Sequence, residues 1–381
     1  MLSAMSSPNS ISPRRLRPRK TRRTTSLPVD LLRNESLLPL DLLRNVLSRL
    51  PTLSLLQLRS VCKEWREIID DLHFAAMQAT SGAESPRILL ISGPRLAPDP
   101  QFAVDDEFLV TSLPRLATRP RLDGPGASCH GLVCFEDLSC GMTYIVNPLT
   151  REALSWHTAE RWRWKRIGIG IGADRLTGRY KIVRVSVFCS REPAFRPLRA
   201  EVLDQGSRSW RDIASVPSSR DLHEGPVFAA GSIHWKIGGR GRVLRTGPMI
   251  RICSFDLTKE EFAWTPCPEL HEAHLVDLQG VLGLVDCSVG KSVDVWVMEE
   301  SGRWMKEYTV RPPFSLSNHL SYNFLGCGRR KIVLIDSGSI WIRDPVTGEL
   351  KDVPRPSGRR ARAARSITVS LLSPSKLWSL E

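Results

Sequence analysis

The C-terminal three hundred residues of the chain repeat a short β pattern at a nearly constant interval. Five segments open with a similar apolar run, and their first residues lie 48 to 51 positions apart: Gly131, Tyr180, Gly231, Gly280 and Gly328. Runs bounded by Gly, Pro, Asp or Ser and rich in β-branched residues, such as 87–92, 180–188 and 331–336, predict strands. The region is therefore expected to consist of at least five similar β units.

Each unit continues with a strand, a polar turn and, in most copies, a returning strand with tryptophan. Tyr144-Ile-Val-Asn-Pro-Leu-Thr leads to Trp156, and Cys253-Ser-Phe-Asp-Leu-Thr leads to Trp264. Asn or Asp at the start of such a turn accepts hydrogen bonds from backbone N–H groups further on. Four-stranded units with a period near 50 predict a kelch-like β-propeller, with a large β-sandwich as the alternative fold.

An incomplete unit at 87–120 precedes the five repeats. We expect a final strand around Ser366–Leu372 to complete it, because a ring closed by both ends of the domain leaves no free sheet edge.

Residues 38–74 predict two or three short helices with more apolar surface than they can bury among themselves. From Leu40 to Leu50, at 100° per residue, six apolar side chains fall within an arc of about 160°. Pro51 ends this helix, and Thr52 or Ser54 can cap the next one. A unit of roughly 40 residues is at the lower limit for independent folding, so the surplus apolar surface predicts a partner protein.

The order of residues in this stretch resembles an F-box. The matching pieces are Leu38-Pro39-x-Asp41-Leu42-Leu43, Val46-Leu47-Ser48-Arg49-Leu50-Pro51, Ser54-Leu55-Leu56, Arg59-x-Val61-Cys62-Lys63-x-Trp65-Arg66 and Phe74. The resemblance implies docking on the Skp adaptor, and through it on the cullin, of a Skp–cullin–F-box (SCF) ubiquitin ligase. It also implies that the apolar contacts, or the core beneath them, come from Leu38, Pro39, Leu43, Leu47, Leu50, Pro51, Leu55, Val61 and Trp65. Residues 27–34 nearly duplicate 38–45, and we have no functional interpretation of this copy.

The region 85–350 resembles the plant F-box-associated domain. The matching pieces include Gly131-Leu-Val-Cys, Asn147-Pro-Leu-Thr-Arg-Glu152, Gly168-Ile-Gly-Ile-Gly-Ala-Asp174, Ser209-Trp-Arg211 and Gly231-Ser-Ile-His-Trp235. The resemblance implies a propeller-like domain that recruits a substrate protein for ubiquitination. We therefore expect a multidomain α+β protein with a disordered basic tail (1–35), a small helical F-box (36–80) and a mainly antiparallel all-β domain (85–375).

The net charge of +14 belongs mostly to two tails. Residues 1–27 hold seven basic and no acidic side chains, and residues 351–366 hold six basic and one acidic. They supply +7 and +5 of the total, which leaves +2 for the rest. Residues 38–74 have five basic and five acidic side chains, which argues against a helix–turn–helix at 40–65, because phosphate contact needs excess positive charge.

The basic run at 13–23 fits a nuclear-localisation patch. An organelle transit peptide and a solvated disordered tail are the alternatives, and Pro8, Pro13 and Pro18 disfavour the amphipathic helix of the former. The sequence contains no run of about 18 apolar residues, so no membrane span is predicted. Nine scattered cysteines predict reduced thiols, and we expect the nucleus or the cytoplasm, or both.

Three motifs resemble chemical sites, and each has a feature that disfavours that interpretation. The glycine run at 168–174 lacks the Lys-Ser/Thr of a P-loop. Cys129, His130, Cys134 and Cys140 do not have zinc-site spacing, and the two histidines of 271–274 are three positions apart instead of four. We therefore predict no catalytic residue, metal or cofactor. The competing functions are a nuclear helix–turn–helix DNA-binding protein, a ligase-independent scaffold and an enzyme built on a propeller.

Overall fold

A computed structural model describes residues 39–81, 86–92, 101–104, 111–112, 122–137, 142–157, 164–188, 197–219, 222, 225–238, 249–287, 292–312, 323–326, 332–335, 340–343, 347–353 and 361–379. The chain divides into two compact units, Met1–Leu43 and Arg44–Glu381. The predicted tail at 1–35, the near-duplicate at 27–34, Leu38 and Cys140 lie outside the described residues.

Four short helices come first in the described chain. They are α1 (Leu40–Ser48), α2 (Thr52–Leu58), α3 (Lys63–Ile69) and α4 (Leu72–Thr80). The Asp71 carboxylate caps α4 by accepting a hydrogen bond from the Phe74 N–H at 2.8 Å.

The predicted side-chain cap of α2 is wrong. Pro51 is its N-cap residue and makes no side-chain capping bond. Thr52 is buried, and its hydroxyl donates to the Val369 carbonyl at 3.4 Å and accepts from Gln78 Nε2 at 3.0 Å. The hydroxyl is used for a tertiary contact that lies more than three hundred residues away in sequence and carries no local signal.

The described strands form six four-stranded antiparallel sheets. Three of them are β24 (Ala361–Ile367) with β1 (Arg87–Ser92), β2 (Gln101–Val104) and β3 (Thr111–Ser112); β4 (Leu122–Cys129), β5 (Leu132–Asp137), β6 (Met142–Asn147) and β7 (Glu152–His157); and β8 (Trp164–Ala173), β9 (Tyr180–Phe188), β10 (Leu198–Asp204) and β11 (Arg211–Ile213). The others are β12 (Val227–Ala229), β13 (Ser232–Ile237), β14 (Arg251–Asp256) and β15 (Glu261–Thr265); β16 (Ala273–Asp277), β17 (Leu282–Asp286), β18 (Val293–Met298) and β19 (Trp304–Val310); and β20 (Asn323–Gly326), β21 (Ile332–Ile335), β22 (Ile340–Arg343) and β23 (Leu350–Val353).

One edge strand of each sheet contacts the corresponding strand of the next sheet. The contacts run β4–β8, β8–β12, β12–β16, β16–β20, β20–β24 and β24–β4, so the six sheets close into a ring. This is a β-propeller, and the sandwich alternative is wrong.

The first blade is closed by strands from both ends of the domain, as predicted. Strand β24 pairs antiparallel with β1, with Ile88 opposite Ser366 and Leu89 opposite Arg365. The closing strand is Ala361–Ile367, earlier than the predicted 366–372. The arginine-rich run forms the closing strand although its sequence has only a weak strand pattern. The alternating run that follows it was the predicted strand, but it lies outside the sheet.

Three of the repeated glycines, Gly131, Gly231 and Gly280, are turn residues, and the fourth, Gly328, lies outside the described residues. His130 and Gly131 have φ of 46° and 80°, and the pairs at 230–231 and 279–280 are also positive at both positions. Two consecutive positive φ values define the type I′ turn that matches strand twist, and glycine tolerates the second position without strain. The Asn/Asp turn chemistry is confirmed as well, because Asp256 Oδ1 accepts the N–H groups of Thr258 at 2.8 Å and Lys259 at 2.9 Å.

The glycine run that resembled a nucleotide loop lies in β8 and permits close blade packing. A Cβ at Gly168 would lie 2.7 Å from Trp235 Nε1, and a Cβ at Gly170 would lie 2.7 Å from Ile233 Cγ2. After β8 the chain enters a turn at Asp174 and then β9, so these glycines lead into a strand and not into a helix. The run is explained by contact between the third and fourth blades.

Candidate partner-binding surface and the buried polar groups

The F-box-like residues divide by burial into a core and a surface. Leu43, Leu47 and Leu55 are buried. Val61 is 62% exposed, and Pro39 and Pro51 are also exposed. Leu50 and Trp65 are half-buried. The exposed members are available to a partner, whereas the three buried leucines support the helices from beneath.

Three exposed apolar residues on α1, Leu40, Leu42 and Val46, were not among the predicted contacts. Leu42 and Val46 are each 54% exposed, although both belong to the wide apolar arc of the helix. They are four positions apart and therefore share one helix face. The sequence signal for these exposed residues was the width of the apolar arc. Only the part of the arc that holds Leu43 and Leu47 is buried, so the rest of it faces solvent.

An ion pair fixes the junction at which Val61 lies. Arg59 Nε is 2.6 Å from Asp70 Oδ1, and Arg59 Nη2 donates to Asp70 Oδ2 at 2.8 Å. Arg66 Nε donates to the Arg59 carbonyl at 3.3 Å. The bidentate geometry restricts both side chains, so the segment between α2 and α3 presents Val61 in a defined position.

The cysteine and histidine cluster at the β4–β5 turn is structural. Cys129 and Cys134 are buried and form no disulfide, and burial raises the pKa of the Cys129 thiol well above its ordinary value. His130 Nδ1 lies 3.0 Å from the Tyr180 hydroxyl. Over the described ranges, no group of three or more His, Cys, Asp or Glu residues is placed to hold a metal ion.

The structure also contains a Ser–His pair that the sequence did not indicate. His234 Nδ1 lies 2.6 Å from Ser254 Oγ, and His234 Nε2 lies 3.1 Å from the Ala229 carbonyl. A carbonyl accepts only, so Nε2 carries the proton and Nδ1 accepts from the serine. Both residues are buried, and burial lowers the pKa of His234 to about 4. The pair satisfies polar groups inside the fourth blade and is closed to substrate.

No helix within the described parts of the chain has the length and apolar character needed to cross a bilayer.

Comparison with protein families identifies the class. The family model for the F-box associated beta propeller domain matches residues 117–363, and the model for the F-box domain matches residues 36–76. The chain belongs to the F-box-associated β-propeller family and carries an F-box ahead of the propeller.

Curated relatives come from Arabidopsis thaliana. An F-box/LRR-repeat protein is 29% identical over 293 residues, which cover 70% of this chain and 65% of that protein. An F-box/kelch-repeat protein is 27% identical over 70% of this chain and 64% of its own length. These two matches span slightly less than two thirds of the relatives' lengths. F-box protein CPR1 is 26% identical over 72% of this chain and 73% of its own length.

Among solved structures, a chain of the nidogen/laminin complex aligns with a TM-score of 0.45 and 12% identity over 74% of this chain and 99% of that chain.

Proposed function

We propose that the chain is the non-catalytic substrate-recognition subunit of an SCF-type ubiquitin ligase. In this proposal the F-box helices bind a Skp-type adaptor, and through it a cullin, while the propeller binds a substrate protein. The observation that carries the proposal is the set of exposed apolar side chains at Leu42, Val46 and Val61, within a region that matches the F-box. Exposed apolar side chains in a module of this size favour a protein partner.

Such a subunit is expected to act by bringing the substrate and the enzyme close together. Binding a substrate near the ubiquitin-carrying enzyme raises its effective concentration and needs no acid, base or nucleophile from this chain. The buried state of Cys129, His234 and Ser254 is consistent with this role.

Reconstitution tests the proposal. We expect the purified chain to co-elute with a Skp-type adaptor and a cullin as one complex, and to support ubiquitin transfer to a protein captured by the propeller. A chain that captures the same protein but does not assemble with the adaptor would support the ligase-independent scaffold instead.

The basic run at 13–23 is proposed as a nuclear signal, and deletion of 1–27 should shift a tagged chain from the nucleus to the cytoplasm.

A further inference from the structure

The end of the chain connects the helices to the propeller. We call residues 368–379, which follow β24 and include α5 (Pro374–Leu377), the C-terminal strap. It lies outside both ranges matched by the family models, 36–76 and 117–363.

Hydrogen bonds hold the strap to the second and third blades. Asn147 Nδ2 donates to the carbonyls of Ser370 at 3.0 Å and Leu372 at 2.7 Å. The Ser370 hydroxyl donates to the His130 carbonyl at 2.6 Å. Gly206, in the turn that follows β10, donates its N–H to the Leu377 carbonyl at 3.0 Å. The backbone of the strap is therefore anchored at two separate points on the blades.

The same strap also contacts the helices. Its Val369 carbonyl accepts from Thr52 of α2, and its Lys376 Nζ donates to the Asp70 carbonyl at 2.6 Å. Asp70 is the C-cap residue of α3, where a cation stabilises the exposed carbonyl end of the helix. The strap thus binds helical elements on one side and blades on the other.

Apolar burial completes the connection. Leu372, Leu377 and Trp378 are buried in one cluster with Ala75 of α4 and Cys129 of the second blade, and Leu72 and Ala76 of α4 pack against it. The Trp378 ring meets the Trp156 ring edge-on, with 5.8 Å between centroids.

We propose that the strap is a positioning element that holds α2–α4 in one orientation on the second and third blades. Apart from the contacts of the strap, the chain itself joins α4, which ends at Thr80, to β1, which begins at Arg87. The inference rests on the proposed function: a fixed orientation keeps a bound substrate at a set distance and direction from the adaptor, on which effective concentration depends.

Hydrogen exchange on the full-length chain tests the attachment. In Trp378→Ala we expect amide exchange in α4 to rise about tenfold or more, with exchange in β14 and β18 changed less than about twofold, because opening is confined to the helices. Lys376→Met removes one exposed contact without opening the core and should loosen the end of α3 by a smaller factor. Lys259→Met, an exposed lysine in a propeller turn, is the matched control and should change neither.

A second readout separates positioning from simple structural support. Lys259, Lys306 and Lys351 are exposed on the propeller, and a rigid arrangement allows ubiquitin to reach them unequally in a reconstituted ligase. Trp378→Ala should make the distribution of ubiquitin among these lysines more even at unchanged adaptor affinity.

Unchanged α4 exchange in Trp378→Ala and Lys376→Met would overturn the inference. Loss of protection in β14 and β18 together with α4, or an unchanged lysine distribution once α4 is loosened, would also overturn it. The exchange measurement uses the chain alone, so its result stands independently of adaptor binding, whose absence would contradict the proposed function instead.

Discussion

The Asn147 side-chain amide donates a 2.7 Å hydrogen bond to the backbone carbonyl of Leu372, 225 residues later in the chain. The same side chain also shapes its own turn, because Oδ1 accepts the N–H of Leu149 at 2.9 Å and that of Thr150 at 3.3 Å. Asn147 is fully buried and therefore uses both halves of its amide. One residue joins a blade turn to the strap that contacts the helices.

Replacement of Asn147 should be costly for this reason. Asn147→Ala leaves two strap carbonyls and two turn N–H groups without partners, and we expect the free energy of unfolding to fall by about 2–4 kcal/mol. Urea denaturation measures the change. Asp256→Asn, in the corresponding turn of the fourth blade, keeps its acceptor oxygen and should cost less than about 1 kcal/mol. Equal effects of the two substitutions would contradict a special role for Asn147.

The glycines of β8 give a second prediction. Gly170→Ala places a methyl group 2.7 Å from Ile233 Cγ2 and should destabilise the chain by about 1–3 kcal/mol through overpacking. Combining it with Ile233→Ala should cost less than the sum of the two single changes, because the smaller neighbour makes room. Gly302→Ala, with nothing within 4 Å of the new Cβ but a φ of +78°, separates the cost of backbone conformation from that of contact. Strict additivity of the first pair would refute the packing explanation.

The repeat and turn residues made most of the propeller predictable. The type I′ turns at His130-Gly131 and the Asn/Asp turns at Asn147 and Asp256 are determined by the chemistry of neighbouring residues, so a local pattern reveals them. The strap was not predictable in the same way. Its alternating residues have the pattern of a strand, and only the three-dimensional arrangement places Val369 and Leu372 against other elements.

The candidate docking surface was predictable in part. The F-box pattern named exposed Val61 and buried Leu43, Leu47 and Leu55 together, as contacts or core alike, and did not indicate which side of the arc faces solvent, because that depends on what covers α1. Leu42 and Val46 are exposed although their hydrophobicity matches that of buried Leu43 and Leu47. Hydrophobicity alone does not distinguish a core position from a docking position.

An ion network between the third and fourth blades should make the propeller sensitive to acid. Glu260 binds Arg211 and Lys181, and hydrogen bonding to Arg211 lowers the pKa of Glu260 to about 2, against partial burial. Because the pKa of Glu260 in the folded state is below its ordinary 4.5, the ionised carboxylate stabilises the protein above that pH. This stabilisation is lost as the pH falls toward 2. Glu260→Gln should lower the free energy of unfolding by about 1 kcal/mol or less at pH 7, since the group is partly exposed. Thermal unfolding at a series of pH values should show the difference between variant and parent vanishing near pH 2–3; a constant difference would contradict the linkage.

The contribution of Asp277 to stability should depend on pH in the opposite direction from that of Glu260. Burial raises its pKa from 3.8 to about 6, against a hydrogen bond from the Gly280 N–H. The folded state therefore binds the proton more tightly, and its stability falls as pH rises from about 4 to 6. Asp277→Asn keeps an acceptor for Gly280 and should stabilise the chain by about 1 kcal/mol at pH 7.5. The gain should disappear near pH 3.5, and an equal gain at both values would show that charge is not its cause.

The affinity of the full-length chain for a Skp-type adaptor, measured by titration calorimetry, tests the central claim most directly. Val46→Asp and Val61→Asp place a charge on exposed positions and should weaken binding by about a hundredfold without lowering stability, because both contacts are lost from an apolar interface. Leu176→Asp, at a propeller turn residue that is 81% exposed, is the matched control and should bind like the parent. Tight binding by the parent and the control, with loss in both helix variants, is the predicted result. Undiminished binding by Val46→Asp and Val61→Asp, or no binding by the parent chain, would contradict the account.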